Sequence, residues 1–254
     1  MMPPPMIDPT DPDAIRRELF DENRWVKDQF AAHVGEALPE LCEALATCFR
    51  LLRALNEAAN KAETKRTALV AAFVYGVLDD LVVSTKLLLA GNLPAAGNQM
   101  RQAVEGIAMA FLCSTDDLLI IETKTKNRPP VMACYWEKVW GEDRRTQGHH
   151  ALRQLGWNAG ALRVNADAVT RLGLAKDHYN GFSHCGAVTV ASRVSLEEPG
   201  TVYLGGHFDP AKGEAYRAEM NERIGLCRVL PPFIERMLAS IAPPAAGEAA
   251  PAQA

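Results

Sequence analysis

The sequence predicts a mainly all-α protein, an up-and-down bundle of several helices with one small β-hairpin near residues 187–206. Three observations predict this fold class. Apolar residues recur at spacings of three and four along most of the chain, which is typical of helices that bury one face. Residues that end helices, such as Gly35 and Gly91, interrupt this pattern at intervals. Strand-like segments are short and few, VTVASRV from Val188 and TVYLGG from Thr201.

Capping residues and leucine spacing define the elements of the first half. Asp11 followed by Pro12 is typical of a helix start, because proline needs no hydrogen-bond partner for its nitrogen there. Gly91 supplies the left-handed conformation in which helices often end. The predicted helices span residues 13–34, 36–62, 64–90 and 93–113.

The helix at 93–113 is rich in alanine and glycine. Small side chains let a neighbouring helix approach the backbone closely. We therefore expect this helix to lie at the centre of the bundle.

The second half is less regular before helices return. Ser114 can cap a short helix that continues to about Thr125, and Pro129 and Pro130 then break the chain before an aromatic segment. The remaining predicted helices span residues 144–158, 166–182 and 210–241.

Length predicts one domain. A chain of 254 residues can bury a sizeable core without disulfides or metal, and no interior stretch of Pro, Gly and Ser is long enough to be a flexible linker. We predict a disordered N-terminus at 1–11, a helical-bundle domain at 12–241 and a disordered Ala/Pro tail at 242–254.

Composition argues against several functional classes. The formal net charge of −4 gives no overall field that attracts nucleic acid or an anionic membrane, so a nucleic-acid role would require a local basic patch. Six cysteines without a Cys-x-x-Cys pair predict reduced, structural thiols. The N-terminus lacks the basic and apolar regions of a signal peptide. We expect a cytoplasmic protein.

The most apolar stretch, residues 68–90, is long enough to span a bilayer. Asp79, Asp80 and Lys86 interrupt it, and charged side chains near a membrane centre are costly. The stretch therefore predicts a buried bundle helix and no membrane association.

Signatures of the commonest enzyme classes are missing from the sequence. There is no GxxxxGKS/T phosphate loop, no GxGxxG fingerprint, no HExxH and no GxSxG elbow. A di-iron bundle needs Glu-x-x-His pairs that face inward, and no glutamate has a histidine three residues later. We therefore predict neither a cofactor nor a bound metal.

Arg101 and Glu105 stand out because the helix that carries them is otherwise largely small or apolar. Residues four apart share a helix face and can pair. If the pair is buried, it must be hydrogen-bonded throughout, because an unpaired buried charge costs several kcal/mol. Partners would have to come from another helix.

The segment YNGFSH offers such partners in Tyr179, Ser183 and His184. We expect these side chains to form one polar cluster with Arg101 and Glu105. Two interpretations remain open. In the functional one, His184 or Glu105 exchanges protons in a pocket while Arg101 holds an anionic group. In the structural one, the network satisfies itself and fixes how the helices pack.

Three motifs carry a resemblance to a known family: RQAVE from Arg101, YNGFSH from Tyr179 and LGGHFD from Leu204. Together they resemble a bacterial, all-helical family of unknown function, over about residues 69–209. In that family an Arg-x-x-x-Glu helix and a late Tyr, Ser and His segment recur. The resemblance implies the helical fold and implies no activity.

The architecture is also distantly similar to the HEPN superfamily of helical bundles. Some HEPN members are metal-independent RNases that use an arginine followed after four to six residues by a histidine. In such a site arginine would stabilise the phosphate and histidine would act as acid or base. The positions that would have to hold this arginine before His184 are Asp177, His178 and Tyr179. The chain departs from the RNase pattern there.

Matches to the same spacing occur elsewhere, from Arg144 to His149, from Arg145 to His150 and from Arg171 to His178. The segment RRTQGHH, which holds the Arg145 and His150 pair, is the more basic candidate for an RNase site. Its alternative interpretation is a charged, solvated helix start.

From these observations we expect a HEPN-like bundle with a binding or regulatory role and a polar pocket, acting as a homodimer or with a protein partner. The enzymatic alternative is a metal-independent RNase of defence or toxin type. A second alternative is a structural protein-interaction module, which an exposed apolar patch would favour.

Overall fold

The computed structural model describes residues 8, 10–126, 128–198 and 200–241. The predicted tail at 242–254 lies outside the described residues, as do residues 1–7 and 9 of the predicted N-terminal segment. The described chain is mainly helical with one small antiparallel sheet, which confirms the predicted fold class.

The N-terminal part forms two helices where the sequence predicted one. Helix α1 spans Pro12–Leu19, and the side chain of Asp11 accepts a hydrogen bond from the amide of Asp13 at 3.0 Å. Helix α2 spans Arg24–Val34 and follows Asn23, whose φ of 52° is left-handed. Asparagine tolerates this conformation better than most residues, so the chain turns at Asn23.

Small residues allow close packing around the fifth helix, as the sequence predicted. A Cβ atom added at Gly106 would lie 2.9 Å from the side chain of Val77, and one at Gly97 would lie 2.4 Å from the ring of Phe182. Larger side chains at either position would displace a neighbour. The bounds here are Leu38–Ala62 for α3, Lys65–Leu89 for α4 and Leu93–Cys113 for α5.

Helix α4 is the one described helix that is long and apolar enough to cross a membrane. Apolar residues along its length, including Val70, Leu78 and Leu88, are nevertheless buried in the protein. This face of α4 therefore packs inside the protein.

The sheet lies where the sequence predicted a short helix after Ser114. Strand β1 (Leu118–Glu122) pairs antiparallel with strand β2 (Val131–Cys134). The side-chain amide of Asn158 accepts from the N–H of Ile120 at 2.8 Å and donates to its carbonyl at 2.9 Å. This partner, distant in sequence, satisfies an extended backbone and overrides the local helix signal.

Several shorter elements connect the sheet to the rest of the chain. One of them, α7 (Gly148–Asn158), has the histidines of the segment RRTQGHH in its first turn, where the sequence predicted a helix start. The bounds are Tyr135–Trp140 for α6, Arg144–Thr146 for a 3-10 turn, Gly148–Asn158 for α7 and Ala166–Ser183 for α8.

The hairpin predicted near residues 187–206 takes a different form. Helix α9 (Ala187–Ala191) replaces the first strand, because the hydroxyl of Thr189 accepts from the amide of Gly186 at 2.9 Å and starts a helical turn. The two segments still pair through a bridge between Val194 and Val202. The last helix, α10, spans Gly213–Ile241.

Internal contacts divide the chain into two compact units, each assembled from separate stretches. Ring contacts of Phe30 with Phe208 and Tyr216 contribute to the core of unit 1, and a contact of Phe111 with Phe233 contributes to that of unit 2. A single domain stays a prediction. Among the described residues, unit 1 draws on the stretch that ends at Ala44, on Asp79–Arg101 and on Asp177–Arg228, and unit 2 draws on Leu45–Leu78, on Gln102–Lys176 and on the stretch that begins at Val229.

Candidate functional site

Unit 2 contains a cleft of about 370 Å³, to which α7 contributes one wall. The α7 side chains in this wall are spaced so that one helix face presents them together. They are His150, Arg153, Gln154 and Trp157. Other lining residues come from β1, from the β1–β2 connection and from the turn before α7, among them Glu122, Thr125, Arg128 and Arg145.

The cleft is locally positive although the chain is acidic. Three arginines, Arg128, Arg145 and Arg153, are among the residues that line it, together with one acidic residue, Glu122. Neither Arg128 nor Arg153 has a carboxylate within ion-pair distance among the described residues. Their charges are therefore available to an anion that enters the cleft.

Arg145 is held in one direction by an acidic neighbour. Its Nε and Nη2 atoms donate to the two carboxylate oxygens of Asp143, at 2.9 and 2.6 Å. These hydrogen bonds lower the pKa of Asp143 to about 2. A further nitrogen of Arg145, Nη1, lies 3.7 Å from the carboxylate of Glu122. Arg145 is thus a fixed, partly neutralised cation at the edge of the cleft.

His150 lies among cations. Partial burial and the nearby charges of His149, Arg153 and Lys176 lower its pKa. Its Nδ1 atom is 3.4 Å from Nη2 of Arg153, and its ring centroid is 3.8 Å from that of His149. A neutral imidazole at neutral pH is the consequence, and it can either accept a proton or donate a hydrogen bond.

Trp157 gives the cleft a flat apolar surface. The guanidinium of Arg153 lies over its indole ring, 5.2 Å from the ring centroid. Such a cation–π pair orients the guanidinium plane along the aromatic face.

Gln154 connects α7 to two other parts of the cleft through buried hydrogen bonds. Its buried side chain donates to the backbone carbonyls of Ile121 at 2.9 Å and Arg145 at 2.8 Å, and it accepts from the hydroxyl of Tyr135 at 2.6 Å. All the hydrogen atoms of this amide are therefore used inside the protein. Its role is to fix α7 against β1.

Glu105, predicted to lie in the polar cluster, is buried in unit 2. One of its oxygens lies 3.7 Å from Nζ of Lys176, which donates to the backbone carbonyl of His149 at 2.7 Å. A Cβ atom added at Gly148 would lie 3.2 Å from the other oxygen. Glu105 thus supports the start of α7, the helix that carries His150.

The other residues predicted for that cluster belong to unit 1. Tyr179 is buried, which raises the pKa of its phenol. Ser183 donates to the side-chain oxygen of Asn98 at 3.0 Å. His184 is exposed, and its imidazole has no hydrogen bond or ion pair within the described residues. That these side chains form one polar cluster with Arg101 and Glu105 stays a prediction, and so does the pairing of half-buried Arg101 with Glu105.

A buried ion pair that the sequence analysis did not identify lies in unit 1. Arg223 is fully buried and donates to Glu219 at 2.9 Å and to Ser84 at 2.8 Å. The other carboxylate oxygen of Glu219 lies 3.0 Å from Nε2 of His178. The signal was present in the sequence, because Glu219 and Arg223 are four residues apart in an amphipathic helix.

Three cleft residues were also missed, Arg128, Arg153 and Trp157. For the last two the signal was their spacing from His150, at three and seven positions along one helix. Arg128 had no such signal, because the sequence predicted a helix from Ser114 to about Thr125 in place of β1 and the start of the β1–β2 connection.

Within the described ranges, no group of three or more His, Cys, Asp or Glu side chains is placed to hold a metal ion. The chain matches no protein-family model, no curated protein and no solved structure.

Proposed function

We propose that the protein binds a phosphate-bearing ligand in the cleft of unit 2, and that binding rather than catalysis is its role. The observation that carries the proposal is that three arginines line one cleft. Guanidinium groups donate paired hydrogen bonds that match phosphate oxygens. The proposal moves the predicted binding role from Arg101 and Glu105 to the segment RRTQGHH and its neighbours.

The cations have different parts in this proposal. Arg128 and Arg153 supply the charge that a phosphate neutralises, since no described carboxylate pairs with them. The hydrogen bonds to Asp143 hold the guanidinium of Arg145 in place, so that this group sets the orientation of the anion. Lys176 adds positive potential near His150. The negative charge of an anion bound here offsets the repulsion from these cations, which contributes to the lowered pKa of His150.

The test is titration of the protein with inorganic pyrophosphate by calorimetry at low ionic strength. We expect Arg153→Gln to weaken binding about tenfold, the loss of one charge-assisted hydrogen-bond donor. We expect Arg144→Gln to bind like the wild type, because Arg144 is exposed in the turn before α7 and is not among the residues that line the cleft.

The two variants carry the same net charge, so a long-range field effect would weaken both equally. Equal weakening, or no binding by the wild type, would overturn the proposal. Added salt should weaken wild-type binding, because the interaction is between charges.

Metal-independent RNA cleavage at the same cleft is the second candidate. Its support is the lowered pKa of His150, which leaves the imidazole free to accept a proton from a 2′-hydroxyl at neutral pH. The bonds from Arg145 to Asp143 favour binding over cleavage, because they compete with stabilisation of a charged transition state.

An assay in EDTA with structured and single-stranded RNA separates the two candidates. We expect the wild type to show no cleavage beyond that of His150→Ala and Arg145→Ala. If the wild type cuts RNA and both variants do not, catalysis replaces binding as the function.

We also propose that the protein is a bacterial, cytoplasmic relative of the HEPN-like bundles. In this proposal it acts as a homodimer or with a protein partner. Support for a partner comes from large apolar side chains exposed on one stretch of unit 1. They are Val188, Val190, Leu196, Val202 and Leu204.

A further inference from the structure

The size of the cleft in unit 2 suits a small molecule. Its volume of about 370 Å³ lies near the lower end of the range of roughly 300–1,000 Å³ that is usual for ligand pockets. A groove for a long polymer would instead extend beyond one helix face and one loop.

Trp157 gives the cleft an aromatic surface that binding of a phosphate group alone does not require. Trp157 is half buried, lines the cleft and carries the guanidinium of Arg153 over its ring. Indole rings and guanidinium planes are the surfaces on which nucleic-acid bases stack. An inorganic anion would gain little from an indole ring, whereas a ligand with a planar ring would stack on it.

The charge balance limits how many phosphates the ligand carries. Three arginines line the cleft, but Glu122 lines it as well and Asp143 neutralises Arg145 in part. The remaining positive charge matches one phosphate group better than three. Thr125 and Glu122 also line the cleft, and their side chains are of types that hydrogen-bond to sugar hydroxyls.

We infer that the cleft is a binding site for a nucleoside monophosphate, with its phosphate among Arg128, Arg145, Arg153 and His150 and its base against Trp157. This inference rests on the proposed function, because it assigns the ligand class of the same cleft.

The test compares adenosine monophosphate, adenosine and inorganic phosphate as ligands, by calorimetry. We expect the monophosphate to bind at least about tenfold more tightly than inorganic phosphate, the gain of one stacked base. Trp157→Leu should remove this gain and leave the affinity for inorganic phosphate unchanged, and Trp157→Phe should restore part of it.

Trp140→Leu is the matched control. Trp140 also has a cation over its ring, Lys65 at 5.0 Å from the centroid, but it is not among the residues that line the cleft. We expect this variant to bind adenosine monophosphate like the wild type. Thermal unfolding of each variant reports whether it is folded at the titration temperature.

The outcomes separate this inference from the proposed function. If the monophosphate and inorganic phosphate bind equally, and Trp157→Leu changes neither, the inference is wrong while the binding of phosphate stands. If neither ligand binds, both are wrong. If a 5′-phosphorylated RNA oligomer binds far more tightly than the monophosphate, the ligand is a polymer and the assignment to a mononucleotide falls.

Discussion

Arg223 is the largest of the fully buried side chains in the described part of the chain. Its guanidinium pairs with Glu219, whose carboxylate is also nearly buried. Pairs of this kind stabilise a protein little in comparison with apolar residues, but loss of one partner leaves the other charge buried and uncompensated. The consequence of a substitution is therefore large and specific.

Replacing Arg223 by methionine is expected to lower the free energy of unfolding by about 3–5 kcal/mol, because Glu219 would lose its charged partner. Urea unfolding at pH 7 measures this change. Arg53→Met is the control, since Arg53 and Glu57 are also four residues apart but both are exposed. That variant should unfold like the wild type. Equal losses in the two variants would contradict the argument.

His207 gives unit 1 a predictable response to acid. Burial and the charge of Lys212 lower its pKa to about 4. The unfolded chain takes up a proton near pH 6.5, and the folded chain does not until about pH 4. Stability from this group is therefore complete above pH 6.5 and is lost as the pH falls toward 4. The loss is on the order of 3 kcal/mol, at about 1.4 kcal/mol per pH unit.

We expect His207→Asn to flatten the dependence of unfolding free energy on pH between 6.5 and 4. Because asparagine also loses the stacking on Tyr203, the slope and not the absolute stability is the quantity to compare. His184→Asn, at an exposed position, should keep the wild-type slope. A wild-type slope in His207→Asn would show that another group governs the acid response.

At the scale of elements, the turn between α4 and α5 depends on one glycine. Gly91 has a φ of 76°, and a Cβ atom there would lie 2.2 Å from the backbone oxygen of His207. An alanine at this position would have both the unfavourable φ and the close contact, unless the backbone moved. The turn therefore holds both the end of α4 and the segment that contains His207.

Alanine at Gly91 is expected to destabilise the protein by at least about 1–3 kcal/mol, the usual cost of a strained backbone conformation. Gly76→Ala, inside α4 and with open space around it, should instead raise stability by up to about 1 kcal/mol. Thermal unfolding of the two variants measures both effects. Shifts of the same sign would contradict this explanation.

The elements that the sequence predicted well are those whose signal is local. Helix α5 has the predicted bounds of 93 and 113, and α10 lies within the predicted range of 210–241, because apolar spacing is a local signal. Strand β1 was predicted as helix because the side chain that satisfies its backbone, Asn158, lies 38 residues from Ile120. The break at Asn23 depends on a single left-handed residue. The periodic spacing of apolar residues indicates neither a hydrogen-bond partner distant in sequence nor a single left-handed residue.

At the scale of the whole molecule, net charge and local charge lead to different expectations. A net charge of −4 argues against a general affinity for anions, yet three arginines of unit 2 line one cleft. Arg145 and His150 were candidates from sequence because they are close along the chain. Arg128 was not, since its place in the cleft depends on a hairpin that the local sequence does not predict.

The hydrogen bonds of Gln154 and Asn158 to β1 have a kinetic consequence. They fasten the helix wall of the cleft to the strand through Ile120 and Ile121, whether or not a ligand is present. Entry of a ligand then requires no slow closure of these two walls. The observed association rate should rise in proportion to ligand concentration without reaching a plateau. Differences in affinity among ligands should then come mainly from their dissociation rates.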